Sequence, residues 1–256
     1  MGTVAQEDTT VAQAPFRWPD GKRAAVSLTF DDARLSQIDR GLAILDRHGV
    51  KATFYVTPAG MQARLDGWRR AVAAGHEIGN HTLTHPCSGN FAFSRGNALE
   101  DYTLERMEAE LLEANKAIEQ SVGVRPTTFA YPCGQTFVGR GEATRSYVPL
   151  ISRHFIVGRG AFDEVPAAPA VCDLAQVNGL DGDSKSFEQL KGLIHVAIAE
   201  GAWLVLFGHE VGDAGHQTTR ADALDALCRF AKDPACGLWV DTVATIGGYI
   251  KHMRNG

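Results

Sequence analysis

The sequence lacks several features that assign many proteins to a function class. It has no run of basic residues, and 25 Lys and Arg are outnumbered by 30 Asp and Glu, which gives a net charge of −5. Nucleic acids and anionic membrane surfaces bind clustered positive charge, so neither is expected as a partner. No apolar stretch approaches the roughly 20 residues that a membrane span needs. The longest, such as residues 202–207, suit buried strands instead.

The N-terminus and the cysteines give few constraints. Residues 1–15 are polar and have neither the basic start nor the apolar stretch of a signal peptide. We expect a loose leader at 1–15 and a single domain at 16–256, a length within the range of one large α/β domain. Five cysteines exclude a fully paired framework. Cys87 could pair with Cys133 and Cys228 with Cys236, and free buried thiols are equally consistent with the sequence.

Short β-rich runs alternate with helical stretches along the chain. Strands are predicted at 24–30, 51–57, 76–79, 128–131, 155–157, 203–207 and 238–240, with a weaker candidate at 171–177. Helices are predicted between them, most clearly at 97–120, where apolar residues recur at spacings of three and four. This alternation predicts a parallel sheet, and the number of strands favours a distorted (β/α)7-8 barrel. No glycine-rich nucleotide fingerprint follows the first strand, which argues against an open dinucleotide-binding sheet.

Polar residues cluster where the predicted strands end. Asp31 and Asp32 follow the first strand, His81 and His85 follow the third, and His209 follows the strand at 203–207. In a barrel these ends converge on one face, where catalytic residues sit. Two adjacent carboxylates at the end of a buried strand repel each other, and a cation shared by one of them relieves that repulsion. Since imidazole is the commonest protein ligand for a transition metal, a metal site is one interpretation.

Each motif also has a purely structural interpretation. Adjacent aspartates after a strand are suited to capping the next helix, and a histidine after a buried strand can be a hydrogen-bonded core residue. A histidine pair at i, i+4 is weak evidence by itself. Pro86 places this pair on a turn, because the residue before a proline resists helical geometry. The metal-site interpretation therefore depends on the combination of motifs.

Four motifs resemble, in order and spacing, those of the polysaccharide deacetylases (carbohydrate esterase family 4). They are Thr29-Phe30-Asp31-Asp32, His81-Thr82-Leu83-Thr84-His85, Phe129-Ala130-Tyr131-Pro132-Cys133-Gly134 and Leu206-Phe207-Gly208-His209. The resemblance covers the chain from about residue 16 onward. It implies a distorted (β/α) barrel and an enzyme that hydrolyses acetyl groups from an oligo- or polysaccharide. It also implies one divalent metal, most often Zn²⁺, with Co²⁺, Ni²⁺ and Mn²⁺ as alternatives.

Site residues follow from the resemblance position by position. Asp32, His81 and His85 correspond to the metal ligands, and three such ligands leave coordination positions open for water and substrate. Asp31 corresponds to the general base and His209 to the general acid. In the third motif, the backbone N–H of Cys133 would help to hold the developing oxyanion.

The third motif departs from the family pattern at two positions. Ala130 stands where the family has an Arg that pairs with the base, and Cys133 stands where it has a Tyr. We expect Arg159, which lies between two glycines at another strand end, to reach Asp31 instead.

The fourth motif departs as well, because the family's Asp-x-x-Asp-Trp segment is not evident. Asp173 and Asp181 are both candidates for the residue that orients His209. Since that Trp lines the substrate groove in the family, the shape of the groove is undefined by sequence.

The resemblance leaves several functions open. N-deacetylation of chitin, peptidoglycan or related glycans competes with O-deacetylation of acetylxylan-like substrates. Hydrolysis of small cyclic amides and non-catalytic glycan binding are the alternatives, and a binder has no need of both an acid and a base. A glycan substrate implies a secreted or periplasmic protein whose signal is absent from this sequence. A cytoplasmic location and the oligomeric state stay open.

Overall fold

The computed structural model describes residues 16–255, so the leader expected at 1–15 lies outside the described residues. The strands are β1 Ala24–Asp31, β2 Thr53–Val56, β3 Glu77–Asn80, β4 Thr128–Ala130, β5 Phe137–Val138, β6 Arg145–Ser146, β7 Val157–Arg159, β8 Leu180–Asp181, β9 Trp203–Gly208, β10 Glu210–Gly212, β11 Thr218–Arg220 and β12 Leu238–Val240. The α-helices are α1 Leu42–His48, α2 Pro58–Met61, α3 Leu65–Ala73, α4 Leu104–Val122, α5 Val148–His154, α6 Phe187–Glu200, α7 Ala221–Ala231 and α8 Val243–Asn255. In the described part of the chain, none of these helices has both the length and the apolar character required to cross a bilayer.

Eight strands form one parallel sheet in the order β7-β4-β3-β2-β1-β9-β8, with β12 also paired to β1. The remaining strands form two small pairs, β5 with β6 and β10 with β11. Every residue of β1 and β9 is buried, as expected for central strands that are covered on both faces. The main core cluster joins β1 and β2 to α3 through Phe30, Phe54 and Trp68. Full burial of each such side chain contributes about 1.5–3 kcal/mol.

Residues 177–181 connect the two ends of the sheet. Val177 pairs with Arg159 of β7, and β8 pairs with β9 at the opposite end. The connection is tight at Gly179, where a Cβ would lie 2.2 Å from the carbonyl oxygen of Gly160. The sheet is therefore curled into a barrel-like form, and the predicted distorted α/β barrel is confirmed.

The expected strand at 171–177 is wrong. Asp173 instead caps a 3-10 helix, Leu174–Gln176, by accepting a hydrogen bond from the backbone N–H of Ala175 at 2.9 Å. Arg254 of α8 binds the carbonyl oxygens of Pro169 and Cys172 at 2.7 Å each. These polar groups satisfy the backbone locally, so the strand forms only later, as β8.

The clearest predicted helix starts later than its periodicity indicates. Thr103 caps α4, since its side chain accepts a hydrogen bond from the backbone N–H of Arg106 at 3.2 Å. The preceding residues form two 3-10 turns, Ala92–Asn97 and Leu99–Asp101. At the other end, Gly123 adopts a left-handed conformation with a φ of 79°, which terminates the helix as its sequence signal predicts.

Candidate active site

Asp31 and Asp32 lie at the C-terminal end of β1, the central strand of the sheet. Asp31 is the last residue of the strand and is 5% exposed. Asp32 and Ala33 then adopt left-handed backbone conformations, with φ angles of 73° and 53°. Such angles are uncommon for residues other than glycine, and they cluster at functional sites. The sharp turn sends the two adjacent carboxylates to different partners.

The histidine pair lies on a turn after β3, as the proline after it predicts. The side chain of Asn80 sets the start of this turn by accepting from the backbone N–H of Thr82 at 2.7 Å. Thr82 in turn accepts from the N–H of His85 at 2.9 Å. The buried carboxylate of Glu110 in α4 accepts the backbone N–H of Leu83 at 3.1 Å and of Thr84 at 3.0 Å. The turn is therefore built by polar side chains of β3 and α4, and His85 itself has a φ of 54°.

Asp32, His81 and His85 form a compact group of donors. Oδ1 of Asp32 lies 3.5 Å from Nε2 of His81 and 3.3 Å from Nε2 of His85. The three donor atoms all lie within 4.8 Å of one another. The other ring nitrogen of His81, Nδ1, donates to the carbonyl oxygen of Ala130 at 2.9 Å, so Nε2 is the nitrogen that faces Asp32. This donor set and its outer hydrogen bond suit a divalent transition metal.

The electrostatics of this group favour the protonation states that a metal requires. Burial, together with the nearby ring of His81, lowers the pKa of His85 to about 4, so that imidazole is neutral at pH 7. Burial opposes ionisation of Asp32, but His81, His85 and Arg34 outweigh it and hold the pKa of Asp32 below its usual range. Arg34 donates to Oδ2 of Asp32 at 3.0 Å. Oδ1 of Asp32 is therefore the oxygen that faces His81 and His85.

Arg159 of β7 is fully buried and forms an ion pair with Asp31. One Nη atom donates to Oδ1 of Asp31, and the other donates to the carbonyl oxygen of Gly160 at 2.9 Å. The guanidinium carbon lies 5.2 Å from the ring centres of both Tyr55 and Phe207, within the range of cation–π attraction. The structure thus brings Arg159 to the carboxylate that sequence reasoning assigned to it.

His209 follows β9 and is bound by Asp183, a residue that the sequence analysis missed. Nδ1 of His209 donates to Oδ2 of Asp183 at 2.6 Å. Oδ1 of Asp183 accepts from the backbone N–H of His209 at 3.2 Å and from the hydroxyl of Thr219 at 2.9 Å. Burial opposes protonation of His209, but the Asp183 hydrogen bond and the charges of Asp31, Asp183 and Asp32 outweigh it and raise the pKa of His209.

Neither expected partner of His209 holds that role. Asp173 caps the 3-10 helix described above, and Asp181 accepts the backbone N–H of Asp183 at 2.9 Å. Asp183 lies two residues after the end of β8, and a strand of two residues is too short to show a periodic pattern. Its only sequence signal was its place in Asp181-Gly182-Asp183.

Cys133 lies on the turn after β4 and is covalently tied to the histidine turn. Cys87, two residues after His85, forms a disulfide with Cys133, with 6.3 Å between their Cα atoms. This pairing was one of the alternatives that the sequence left open, and it holds. The alternative pair, Cys228 with Cys236, does not form, and both of those thiols are free and buried. Cys133 has a φ of 54°, so its backbone is also left-handed.

These groups meet in one cavity of about 450 Å³. The charged and polar side chains that line it are Asp31, Asp32, Arg34, His81, His85, His209 and Gln217. The remainder of its lining is apolar and mostly aromatic, namely Phe91, Phe93, Tyr131, Cys133, Ala161, Phe162 and Phe207. A base candidate, an acid candidate and a metal-ligand group around one cavity can together hydrolyse an acyl bond.

The chain is similar to known proteins in both sequence and fold. A family model described as polysaccharide deacetylase matches residues 19–146. The peptidoglycan-N-acetylglucosamine deacetylase PgdA of Listeria monocytogenes is 31% identical over 127 residues, which are 49% of this chain and 24% of that protein. A chitooligosaccharide deacetylase of Sinorhizobium fredii is 38% identical over 98 residues, which are 38% of this chain and 40% of that protein. The chain thus spans less than half the length of either relative.

Solved structures show the same fold over nearly the whole chain. A presumed polysaccharide deacetylase from Mycobacterium smegmatis superimposes with a TM-score of 0.68 at 21% identity, and the match covers 94% of this chain and 95% of that one. At that level of identity the similarity shows the fold alone.

Proposed function

This chain belongs to the polysaccharide deacetylase family, and we propose that it is a metal-dependent hydrolase that removes acetyl groups from a carbohydrate. The observation that carries the proposal is the convergence of three arrangements on one cavity. They are the Asp32–His81–His85 donor group, the Asp31–Arg159 ion pair and the His209–Asp183 hydrogen bond. A domain that only bound glycans would have no use for this acid and base.

Asp32, His81 and His85 would hold one divalent metal ion. Two imidazoles and one carboxylate are a donor set that zinc accepts, and Co²⁺, Ni²⁺ and Mn²⁺ can occupy the same set. The hydrogen bond from His81 to the carbonyl of Ala130 supports the fit, since metal-binding histidines commonly anchor their second nitrogen in this way. When bound, such an ion acts as a Lewis acid toward the acetyl carbonyl and acidifies a coordinated water.

Asp31 is the proposed general base. Arg159 binds one of its oxygens, and that contact fixes the carboxylate at the cavity floor, where Asp31 is among the lining residues. The remaining carboxylate oxygen is then available to take the proton of the attacking water. In this role Arg159 is a positioning residue, which replaces the family's arginine at position 130.

His209 is the proposed general acid. Its Nδ1 is occupied by Asp183, so Nε2 is the nitrogen that can protonate the leaving atom of the sugar. The raised pKa of His209 keeps the imidazole protonated to higher pH, as an acid requires. Opposite these groups, the backbone N–H of Cys133 would donate to the carbonyl oxygen as negative charge develops on it.

The relatives named above suggest the substrates to test first, peptidoglycan and chitooligosaccharide, with acetylated xylan for the O-linked alternative. We expect an extracytoplasmic location, because the Cys87–Cys133 disulfide at the site would persist only in an oxidising compartment.

The test is acetate release from this panel by the zinc-loaded protein, with Asp31→Asn and His209→Ala as variants. The proposal predicts acetate from at least one glycan and a loss of at least about 100-fold in either variant. A cyclic amide is included as a further substrate. Metal binding without acetate from any glycan would refute the deacetylase assignment. Turnover of the cyclic amide alone would instead identify the protein as a cyclic amide hydrolase.

A further inference from the structure

Among residues 16–255, three aromatic side chains are exposed, and all three line the active-site cavity. They are Phe91, Phe93 and Phe162, with exposures of 41%, 68% and 67%. Every other Phe, Tyr and Trp side chain in this range is buried or partly buried. Single exposed apolar residues are common on protein surfaces, but here the exposed rings are confined to the rim of one cavity. This distribution points to a ligand that covers them.

Phe162 is held in a costly conformation. It has a φ of 63°, which is an outlier for a bulky residue. The loop that carries it is fixed by two bonds to the segment that connects the ends of the sheet. The N–H of Asp163 donates to the carbonyl of Gly179 at 3.0 Å, and the N–H of Gly179 donates to the Asp163 carboxylate at 2.8 Å. A strained backbone therefore holds this apolar ring in solvent at the mouth of the cavity.

Phe93 is held just as firmly on the other side. The hydroxyl of Ser94, the next residue, is buried and bonds both the backbone N–H and the carbonyl oxygen of Cys87 at 2.8 Å. The 3-10 turn that carries Phe93 is thereby anchored to Cys87, the disulfide-bonded residue next to the histidine turn. Phe93 also contacts Phe91, with 5.5 Å between ring centres.

Each of the two most exposed rings lies near a different group of the site. The ring of Phe93 lies 6.2 Å from the ring of His85, on the metal-ligand side. The ring of Phe162 lies 5.1 Å from Phe207, which lies 6.1 Å from His209, on the acid side. An oligosaccharide with one acetyl group at the metal ligands could therefore contact one ring beside His85 and the other on the side of His209.

The charges of the cavity indicate a neutral ligand. Arg34 is the only Lys or Arg at the exposed part of the lining, and it is already paired with Asp32. In the described residues that form the cavity, no further cation is free to bind a sugar carboxylate. Aromatic rings in proteins bind flat apolar faces, and β-linked pyranoses with equatorial substituents present such faces built of C–H bonds.

We infer that Phe93 and Phe162 form an aromatic clamp that stacks on the sugar rings flanking the acetylated residue of a neutral β-linked oligosaccharide. The inference rests on the proposed deacetylase function and adds to it two substrate-binding residues and a minimum length of substrate. The protein would prefer an internal residue of a chain of three or more sugars over a single acetylated sugar.

The clamp is tested by binding, so that the result does not depend on turnover. Titration calorimetry with the Asp31→Asn protein would compare N-acetylglucosamine with its β-1,4-linked trimer and pentamer. The pentamer is expected to bind more tightly than the monomer. Phe93→Ala and Phe162→Ala would each weaken pentamer binding by about 3- to 10-fold, the range of one aromatic stacking contact.

Matched variants distinguish stacking on the aromatic ring from a general effect of apolar volume on pentamer affinity. Phe162→Leu should bind the pentamer weakly, as Phe162→Ala does, and Phe162→Tyr should restore the affinity. Val171→Ala removes an equally exposed apolar side chain away from the cavity and should leave the affinity unchanged. Unchanged affinity in the Phe93→Ala, Phe162→Ala double variant would overturn the clamp even if acetate is released. A parent protein that releases acetate yet binds monomer and pentamer equally would also overturn it, whereas failure of the acetate panel would refute the function itself.

Discussion

Arg159 and Asp31 form a buried ion pair across the sheet, although three strands, β4, β3 and β2, lie between β7 and β1 in the strand order. In a flat sheet the two strands would be about 19 Å apart, since neighbouring strands are spaced by roughly 4.8 Å. An arginine side chain cannot span that distance. The contact therefore depends on the curl of the sheet, and the residues 177–181 that connect its ends support the position of Arg159.

Removal of Arg159 should impair turnover and stability together. Arg159→Ala leaves Asp31 without its partner, and we expect kcat to fall by about 100-fold because a displaced catalytic group commonly has this effect. Breaking a buried ion pair also costs about 3–5 kcal/mol of folding free energy. Arg125→Ala, which removes an exposed ion pair with Glu119, is the matched control. Kinetics and thermal melts of both variants check this, and unchanged kcat in a folded Arg159→Ala protein would contradict the role.

The position of the arginine can be exchanged between two neighbouring strands. Ala130 of β4 and Arg159 of β7 are register partners, so their side chains lie on the same face of the sheet. The double variant Arg159→Ala, Ala130→Arg should therefore return the guanidinium to Asp31 from the position that the family uses. We expect kcat within about 10-fold of the parent, well above the single variant. Equal activity of the single and double variants would show that the guanidinium does not act through Asp31.

The hydrogen bond between Asp183 and His209 should set the alkaline limit of activity. The acid must be protonated, so kcat/KM falls as pH rises through the pKa of His209. Because Asp183 raises that pKa, Asp183→Asn should move the alkaline limb to lower pH. Asp173→Asn, which alters only a helix cap, should leave the limb in place. The measurement is kcat/KM from pH 5 to 10, and an unshifted limb in Asp183→Asn would exclude His209 as the titrating acid.

Loss of the Cys87–Cys133 disulfide should make the turn that carries Cys133 less rigid. The disulfide closes a loop with a sequence separation of 46, and its loss is expected to cost roughly 2–4 kcal/mol of stability. The joint variant Cys87→Ser, Cys133→Ser should melt earlier and turn over more slowly while still binding metal. Cys172→Ser removes a free thiol and serves as the control. Parent-like melting and kcat in the joint variant would show that the disulfide does not hold the site.

Metal binding can be measured without any substrate. His81→Ala and Asp32→Ala should each lose the ion, because each variant removes one of the three donors that form the site. His154→Ala, which breaks only a surface contact with Glu108, should retain it. Elemental analysis after dialysis against zinc gives the stoichiometry. Full occupancy in His81→Ala would place the metal elsewhere.

The parts of the site that could be predicted are those with a strong local pattern. Asp31, Asp32, His81, His85 and His209 each follow a strand of clear β character, and parallel strands bring their carboxyl ends to one face. Arg159 was predicted because Ala130 stands where the family has an arginine and because Arg159 lies between two glycines at another strand end.

The remaining features depend on long-range packing that leaves no local pattern. Asp183 follows a two-residue strand, β8, which is too short to show a periodic pattern and is defined only by its pairing with β9. The Cys87–Cys133 disulfide could not be distinguished from a Cys228–Cys236 pair by sequence. It depends on how close the turns that carry Cys87 and Cys133 lie in the fold. Phe93 lies in a short 3-10 turn and Phe162 in a loop, neither with an apolar periodicity, and only their exposure at the cavity distinguishes them from core residues.

The central claim is that the Asp32–His81–His85 metal site and Asp31 together hydrolyse an acetyl group. Its most direct test is a time course of acetate release from a β-1,4-linked N-acetylglucosamine pentamer, with chelator-stripped protein before and after one equivalent of zinc. We expect no acetate before zinc, release after zinc, and none in either case from Asp31→Asn. Equal release from the stripped protein, or from zinc-loaded Asp31→Asn, would contradict the account.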